Sequence, residues 1–236
     1  SIDGQGMEMA SSVHFEHDYD NAFWNGSQMV YGDGDDQMFK RGSFTSAVDV
    51  IGHELTHGIT QFTAGLRYRT QSGALNESFS DVFGSLVKQH SLGQTADTAD
   101  WLIGEGIMGP QLEGEALRSM KAPGTAFNFD DQPATMSAYV DLPDDGDPQH
   151  DNGGVHVNSG ISNHAFYLAA TAIGGNAWEK AGPIWYVTLT ERLQPDSDFA
   201  AAADATIAVA GERFGAGGPE EEAVRSAWQQ VEAIKS

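Results

Sequence analysis

No cysteine occurs in the 236 residues, so the chain has neither a disulfide framework nor a thiolate nucleophile. Basic residues are scarce: 12 Lys and Arg stand against 34 Asp and Glu, for a net charge of −22. A surface of that sign repels a phosphate backbone, which excludes nucleic acid as a partner and fits a solvated, solubilising exterior. Long apolar runs are missing as well. The Ala-rich stretch 199–210 is interrupted by Asp204 and falls short of the roughly 20 residues a bilayer-crossing helix needs, so no membrane span is expected. No basic-then-apolar leader precedes Ser1, which reads as a processed product or a fragment.

What is present is enough for one core, or for two small lobes around a cleft, at 40% hydrophobic content. Residues 9–14 and 28–31 alternate as strands do and are separated by Gly-Asp turns, a β-rich opening. From residue 46 to 63 the period changes: Val48, Ile51, Leu55, Ile59 and Phe62 recur at helical spacing, with Gly65 as a stop. A second helix is expected over 74–89, then a Gly-rich acidic connection over 93–114 and an exposed, insertion-like segment over 141–151. Helices are expected again at 161–173, 177–193, 199–214 and 220–234. The pattern predicts an α+β protein: a β-rich N-terminal lobe with one central helix (1–66) and a mainly helical C-terminal lobe (67–236).

The central helix carries His53-Glu54-Leu55-Thr56-His57, an H-E-x-x-H motif. Spacing of i, i+4 stacks both imidazoles on one helical face, where a single ion bridges them. Catalytic zinc takes three protein ligands and keeps a fourth position open, so one more donor is needed. Glu77, on the next helix in the run Asn76-Glu77-Ser78-Phe79-Ser80-Asp81, is the expected third ligand. Asp81, one turn further on, is placed to accept the outer N–H of a zinc-bound histidine. The extended motif with a third histidine is excluded, because residues 60 and 63 are both threonine.

With these residues in view, the chain resembles the thermolysin-like family of zinc metallopeptidases. The resemblance rests on Asn21-Ala22-Phe23-Trp24-Asn25-Gly26, His53–His57, Ala64-Gly65-Leu66, Asn76–Asp81, Leu117-Arg118-Ser119-Met120 and Asp151-Asn152-Gly153-Gly154-Val155-His156, in family order. Gly84–Gln89 with Leu92-Gly93-Gln94 is similar to the protealysin-like branch. The resemblance implies a two-lobed thermolysin-like fold with an apparently truncated N-terminal lobe. It also implies an endopeptidase that hydrolyses internal bonds before bulky hydrophobic residues. Glu54 is then the general base, Tyr68 and His156 stabilise the oxyanion, and Asp151 orients His156. Asn21, the Ala22 backbone and Arg118 bind the peptide, and Val50, Ile103, Ile107 and Leu117 line the pocket for the side chain after the scissile bond.

The resemblance further implies one catalytic zinc and at most one calcium, near Asp49, Asp100 and Glu105. Ser85, Lys88 and Leu102 stand where that family often has carboxylates, and the Lys88 ammonium is expected to pair with the remaining acids. Partners implied are protein or peptide substrates, together with a propeptide or a further N-terminal segment. Export is the family habit, with a cytoplasmic or periplasmic location left open. A catalytically silent peptide-binding form is the alternative reading, and a zinc hydrolase of non-peptide substrates a third.

Overall fold

The computed structural model describes residues 2–235. Three short strands, β1 (Ser11–Ser12), β2 (Ala22–Trp24) and β3 (Met29–Tyr31), form a sheet in the order β1-β3-β2. β1 runs parallel to β3, and β2 antiparallel to it with Phe23 opposite Val30. The strand expected over 9–14 is reduced to two residues, because His14, Glu16 and Asp18 all take positive φ, a left-handed geometry that ends an extended run. Strand makes up only 7% of the chain against 47% helix, so the N-terminal lobe is largely loop around a small sheet.

A single turn, α1 (Ser43–Ser46), leads into α2 (Val48–Phe62), and Gly65 at φ 61° closes the exit by donating its N–H to Thr60 O at 2.7 Å. Next comes α3 (Thr70–Leu92), which begins four residues before the expected start at 74. Its polar opening, Thr70-Gln71-Ser72-Gly73, hides the helical period: Ser72 Oγ bonds back to Arg67 O and Arg69 O, and Gly73 lies against Val155. Gly93, left-handed at φ 64°, stops the helix. A two-residue hairpin, β4 (Leu102–Ile103) with β5 (Arg118–Ser119), precedes the loop region.

The remaining helices are α4 (Asp151–Ile173), α5 (Ala181–Val187), α6 (Phe199–Phe214) and α7 (Pro219–Gln230). α4 starts ten residues before the expected 161, since Asp151, Asn152, Gly153 and Gly154 all have positive φ and wind a left-handed turn into it. The helix expected over 177–193 is shorter, starting at Ala181 and loosening into a wide turn at Thr188–Arg192. α6 has the expected bounds, with Asp198 capping its first turn by accepting from Ala201 N–H at 2.8 Å.

Two cores result. The larger gathers α3, α4, α5, α6 and α7 around Phe79, Phe166, Trp185, Phe199 and Trp228. The smaller joins Ala22, Met29, Tyr31, Phe44 and Val50 to Ile107, Met108 and Leu112, so chain from both sides of residue 66 builds it. α2 runs between them, giving Ile51 and Leu55 to the smaller core and Ile59 to the larger. It meets α3 where Gly52 faces Gly84: a Cβ on Gly84 would lie 2.4 Å from Asp49 O, and one on Gly52 would lie 3.0 Å from the Gly84 Cα. The backbones touch there because neither side has a side chain. Gly84→Ala is therefore expected to cost about 1–3 kcal/mol by overpacking, read as a lower denaturant midpoint at unchanged slope.

Candidate active site

Helical spacing on α2 puts His53 above His57, with Nε2 to Nε2 at 3.1 Å, and the crossing at Gly52 and Gly84 brings α3 close enough for Glu77 to meet both. Its Oε2 is 3.4 Å from His53 Nε2 and its Oε1 is 3.5 Å from His57 Nε2. One ligand atom from each of the three residues falls within 4.8 Å of the others. Glu77 is 1% exposed, and its Oε2 has no hydrogen-bond partner. A buried carboxylate oxygen left unpartnered beside two imidazole nitrogens, with nitrogen and oxygen donors only, fits a zinc ion.

The outer face of each imidazole is held. His53 Nδ1 is 2.8 Å from Asp81 Oδ1, and His57 Nδ1 is 2.8 Å from Asn76 Oδ1. Asp81, fully buried, also receives Arg118 Nε and Nη2, each at 2.7 Å, and Asn163 Nδ2 at 2.8 Å. The Arg118 guanidinium and the His53 ring outweigh burial and hold the Asp81 carboxyl well below the ordinary range. Burial works against charge on His53, yet the bond to Asp81 and the nearby Glu77 carboxylate lift its pKa to about 10. His57, buried and accepting less help, is pushed down to about 4. Asn76 and Asn163 were given no role from the sequence. The only signal for Asn76 is its place immediately before Glu77, and a helix facing α2 was needed to see it.

Glu54 is 6% exposed and lies outside the donor cluster, on the wall of the cleft. Burial raises its pKa, and the charge of Glu77 adds to the effect while His53 opposes it. Across the cleft, Tyr68 and His156 face each other, with the Tyr68 hydroxyl 3.1 Å from His156 Nε2. The hydroxyl donates to Glu77 Oε1. His156 Nδ1 is 2.5 Å from Asp151 Oδ1, while Asp151 Oδ2 accepts the backbone N–H of His156 at 2.7 Å and of Val157 at 3.2 Å. Asp151 thus ties the left-handed entry of α4 to its first regular turn and holds the His156 ring at once. That geometry needs the left-handed turn, where a Cβ on Gly153 would meet Thr70 Cγ2 at 2.7 Å and one on Gly154 would meet Asn158 Nδ2 at 2.6 Å. His156 is half-exposed at the rim of the cleft, and the Glu77 and Asp151 carboxylates outweigh partial desolvation to raise its pKa.

The cleft itself is a cavity of about 780 Å³, bounded by both lobes. Asn21, Ala22, Val50, Ile103, Leu117 and Arg118 line it, as do Glu54, Tyr68, Glu77 and His156. Ile107 does not. It is 2% exposed and sits behind the cleft wall in the smaller core, where its Cδ1 packs under Gly104. Asp20, Phe23, Trp24, Phe39, Phe44 and Gln61 line the cleft although the sequence assigned them nothing there.

A paired histidine helix, a facing glutamate and a carboxylate on the wall of an open cleft make up a candidate hydrolytic metal centre. Two family models match: the thermolysin metallopeptidase catalytic domain over residues 1–61 and its alpha-helical domain over residues 64–233. The chain belongs to the thermolysin metallopeptidase family. It is 55% identical over 220 residues to an extracellular metalloprotease of Pectobacterium carotovorum subsp. carotovorum, a match covering 91% of this chain and 61% of that protein. Protease PrtS of a Photorhabdus species is 47% identical over 98% of this chain and 62% of its own length. Thermolysin of Alicyclobacillus acidocaldarius is 41% identical over 98% of this chain and 41% of its own. The chain therefore spans about three fifths or less of these relatives. Among solved structures, the precursor of protealysin, a metalloproteinase from Serratia proteamaculans, superposes with a TM-score of 0.91 at 55% identity, covering 99% of this chain and 71% of that one.

Two expectations follow for the metal-free chain. His53 holds a proton up to a pKa of about 10, and zinc must displace it, so zinc affinity should rise roughly tenfold per pH unit between about pH 7 and 9. Titration calorimetry in buffers of different ionisation enthalpy should read about one proton released per zinc. Asp81→Asn, which keeps the shape and removes the charge, should weaken zinc binding by about 10–100-fold.

Proposed function

We propose that this chain is the catalytic part of a zinc-dependent endopeptidase, cleaving internal peptide bonds before bulky hydrophobic residues. The observation that supports this most directly is that His53, His57 and Glu77 offer three donors at one point while Glu54, beside them, stays out of the cluster and faces the cleft. His53, His57 and Glu77 would hold a zinc ion, which would supply Lewis acidity toward a scissile carbonyl and toward water. Glu54 takes a proton from the attacking water and returns it to the leaving amine. Burial raises its pKa, which makes the carboxylate a stronger proton acceptor. Tyr68 and His156 donate hydrogen bonds to the oxyanion from the opposite wall, and Asp151 keeps His156 turned toward it. For that role the Tyr68 hydroxyl exchanges its bond to Glu77 for one to substrate.

The substrate is an extended peptide, with Asn21 and the Ala22 backbone binding along one edge of the cleft. Arg118 gives Nε and one N–H of Nη2 to Asp81, so Nη1 and the second N–H of Nη2 remain for a substrate carbonyl. Val50, Ile103 and Leu117 form the apolar pocket. An extracellular site of action accords with the name of the Pectobacterium relative. The solved relative is described as a precursor, which supports a propeptide as a partner. Among the described residues, no helix is long and apolar enough to cross a membrane.

The test is zinc content measured together with cleavage of a quenched peptide carrying Leu or Phe after the scissile bond. One zinc per chain with chelator-sensitive cleavage is expected. Glu54→Gln should retain zinc and lose cleavage. Tyr68→Phe and His156→Ala should each lower kcat by about 10²–10³-fold with zinc content unchanged. Stoichiometric zinc without cleavage would instead favour a silent peptide-binding form.

A further inference from the structure

His156 reaches the cleft from the rim with its side chain half-exposed, so packing alone does not fix its ring. Its bonds to Asp151 are local and set the ring against its own stretch of backbone. A second tether comes from elsewhere in the chain. Gln132, buried in the loop between β5 and α4, points its amide at the carbonyl of the same histidine: Nε2 is 2.7 Å from His156 O and 2.9 Å from Ser159 Oγ. Ser159, also buried, donates its hydroxyl to His156 O at 2.8 Å, which closes a triangle of hydrogen bonds. A carbonyl oxygen only accepts, so the amide nitrogen has to face it, and both amide N–H groups are then spent. Gln132 Oε1 is left buried with no partner. That orphan carries a desolvation cost that an apolar side chain of the same length avoids, so the use of glutamine here rests on what its nitrogen holds. The loop is itself tied down. Ser119 Oγ, in β5, accepts the Ala122 N–H at 3.1 Å, and the Asp130 carboxylate accepts the N–H groups of Ala126 at 2.9 Å and of Gln132 at 3.2 Å. It lies directly on α4 at Gly160, where a Cβ would stand 2.8 Å from Pro133 O and 2.9 Å from Gln132 Cβ.

We propose that Gln132 is a positioning residue for the peptidase reaction, an assignment that rests on that reading of the site: by holding the His156 carbonyl it sets where the His156 imidazole stands toward the oxyanion. Gln132 lines no part of the cleft and acts through His156. Asp151 fixes the N–H and the ring of that histidine, and Gln132 fixes its carbonyl end. The two tethers differ in reach. Asp151 belongs to the left-handed turn and moves with it, whereas Gln132 refers that turn to the loop anchored on β5, whose Arg118 lines the cleft. A donor to an oxyanion is sensitive to its placement, and an error of about 1 Å is enough to cost on the order of 10²-fold in rate.

The experiment is a double-mutant cycle on zinc-loaded protein, read as kcat and KM for the quenched peptide together with zinc content. Gln132→Met keeps the length of the side chain and removes both donors. It should lower kcat by about 10–100-fold, with KM within about twofold of the parent and zinc content unchanged. With His156 already replaced by alanine, the same substitution should change kcat by less than about twofold, because the ring that Gln132 places is gone. Where Gln132→Met does not fold, Gln132→Asn, which keeps the amide and withdraws it by one methylene, takes its place in the cycle with the same expectations. The assignment is overturned if the single variant cleaves at the parent's rate, if it loses zinc or raises KM as much as it lowers kcat, or if its loss persists undiminished in the His156→Ala background. A parent that binds zinc without cleaving overturns the peptidase reading and the role of Gln132 with it, whereas a cleaving parent with no coupling between Gln132 and His156 overturns the role alone.

Discussion

Four elements meet at the Asp81 carboxylate. It belongs to α3 and takes His53 from α2, Arg118 from β5 and Asn163 from α4, with no surface exposed to water. A charge this deep is tolerated only because each lone pair is matched by a donor and a guanidinium sits beside it. The arrangement fixes more than its own energy. It sets the rotation of the His53 ring, ties the cleft hairpin to the helical lobe, and fastens α4, whose first turn bears His156. The two walls of the cleft are thus registered against each other through one buried group.

The second constraint is steric. Donor atoms on α2 and α3 approach within 3.5 Å because the helix backbones touch at Gly52 and Gly84. Hydrogen bonding at Asp81 and Asn76 then aims the rings, and the glycine contact sets how far apart they stand. One turn beyond that contact, Lys88 Nζ lies 3.8 Å from Asp49 Oδ2, 2.8 Å from Asp100 Oδ2 and 3.2 Å from Glu105 Oε2, holding the start of α2 against α3. Metal-site geometry is accordingly a property of the helix crossing as much as of the three ligands.

The parts of this arrangement visible in the sequence were those with a local period or a fixed spacing. His53, Glu54 and His57 announce themselves through a helical repeat in five residues, and α6 through its cap and apolar face. Less of what depends on distant packing could be read. The first turn of α3 is polar and looked like loop until Val155 and the backbone before it buried Gly73. The start of α4 was hidden by four left-handed residues, a conformation that Asp, Asn and Gly tolerate but that carries no helical period, with Asp151 bonded to His156 and Val157. Ile107 is buried in the smaller core together with Val50 and Leu117, a packing that its sequence neighbours do not reveal. The strand expected over 9–14 is shorter because positive φ values at His14, Glu16 and Asp18 end the extended run, whereas the stretch 28–31 matches β3.

The donors of the metal centre also divide unequally along the chain. Both histidines precede residue 62, where α2 ends, and the glutamate follows residue 70, where α3 begins, with only a short connection between. Neither stretch alone holds three ligands. A cut in that connection would produce two pieces, each deprived of a complete binding set, that regain one only by docking through the Gly52 and Gly84 contact. Metal retention in such a nicked molecule would then report reassembly, making the centre a natural complementation sensor.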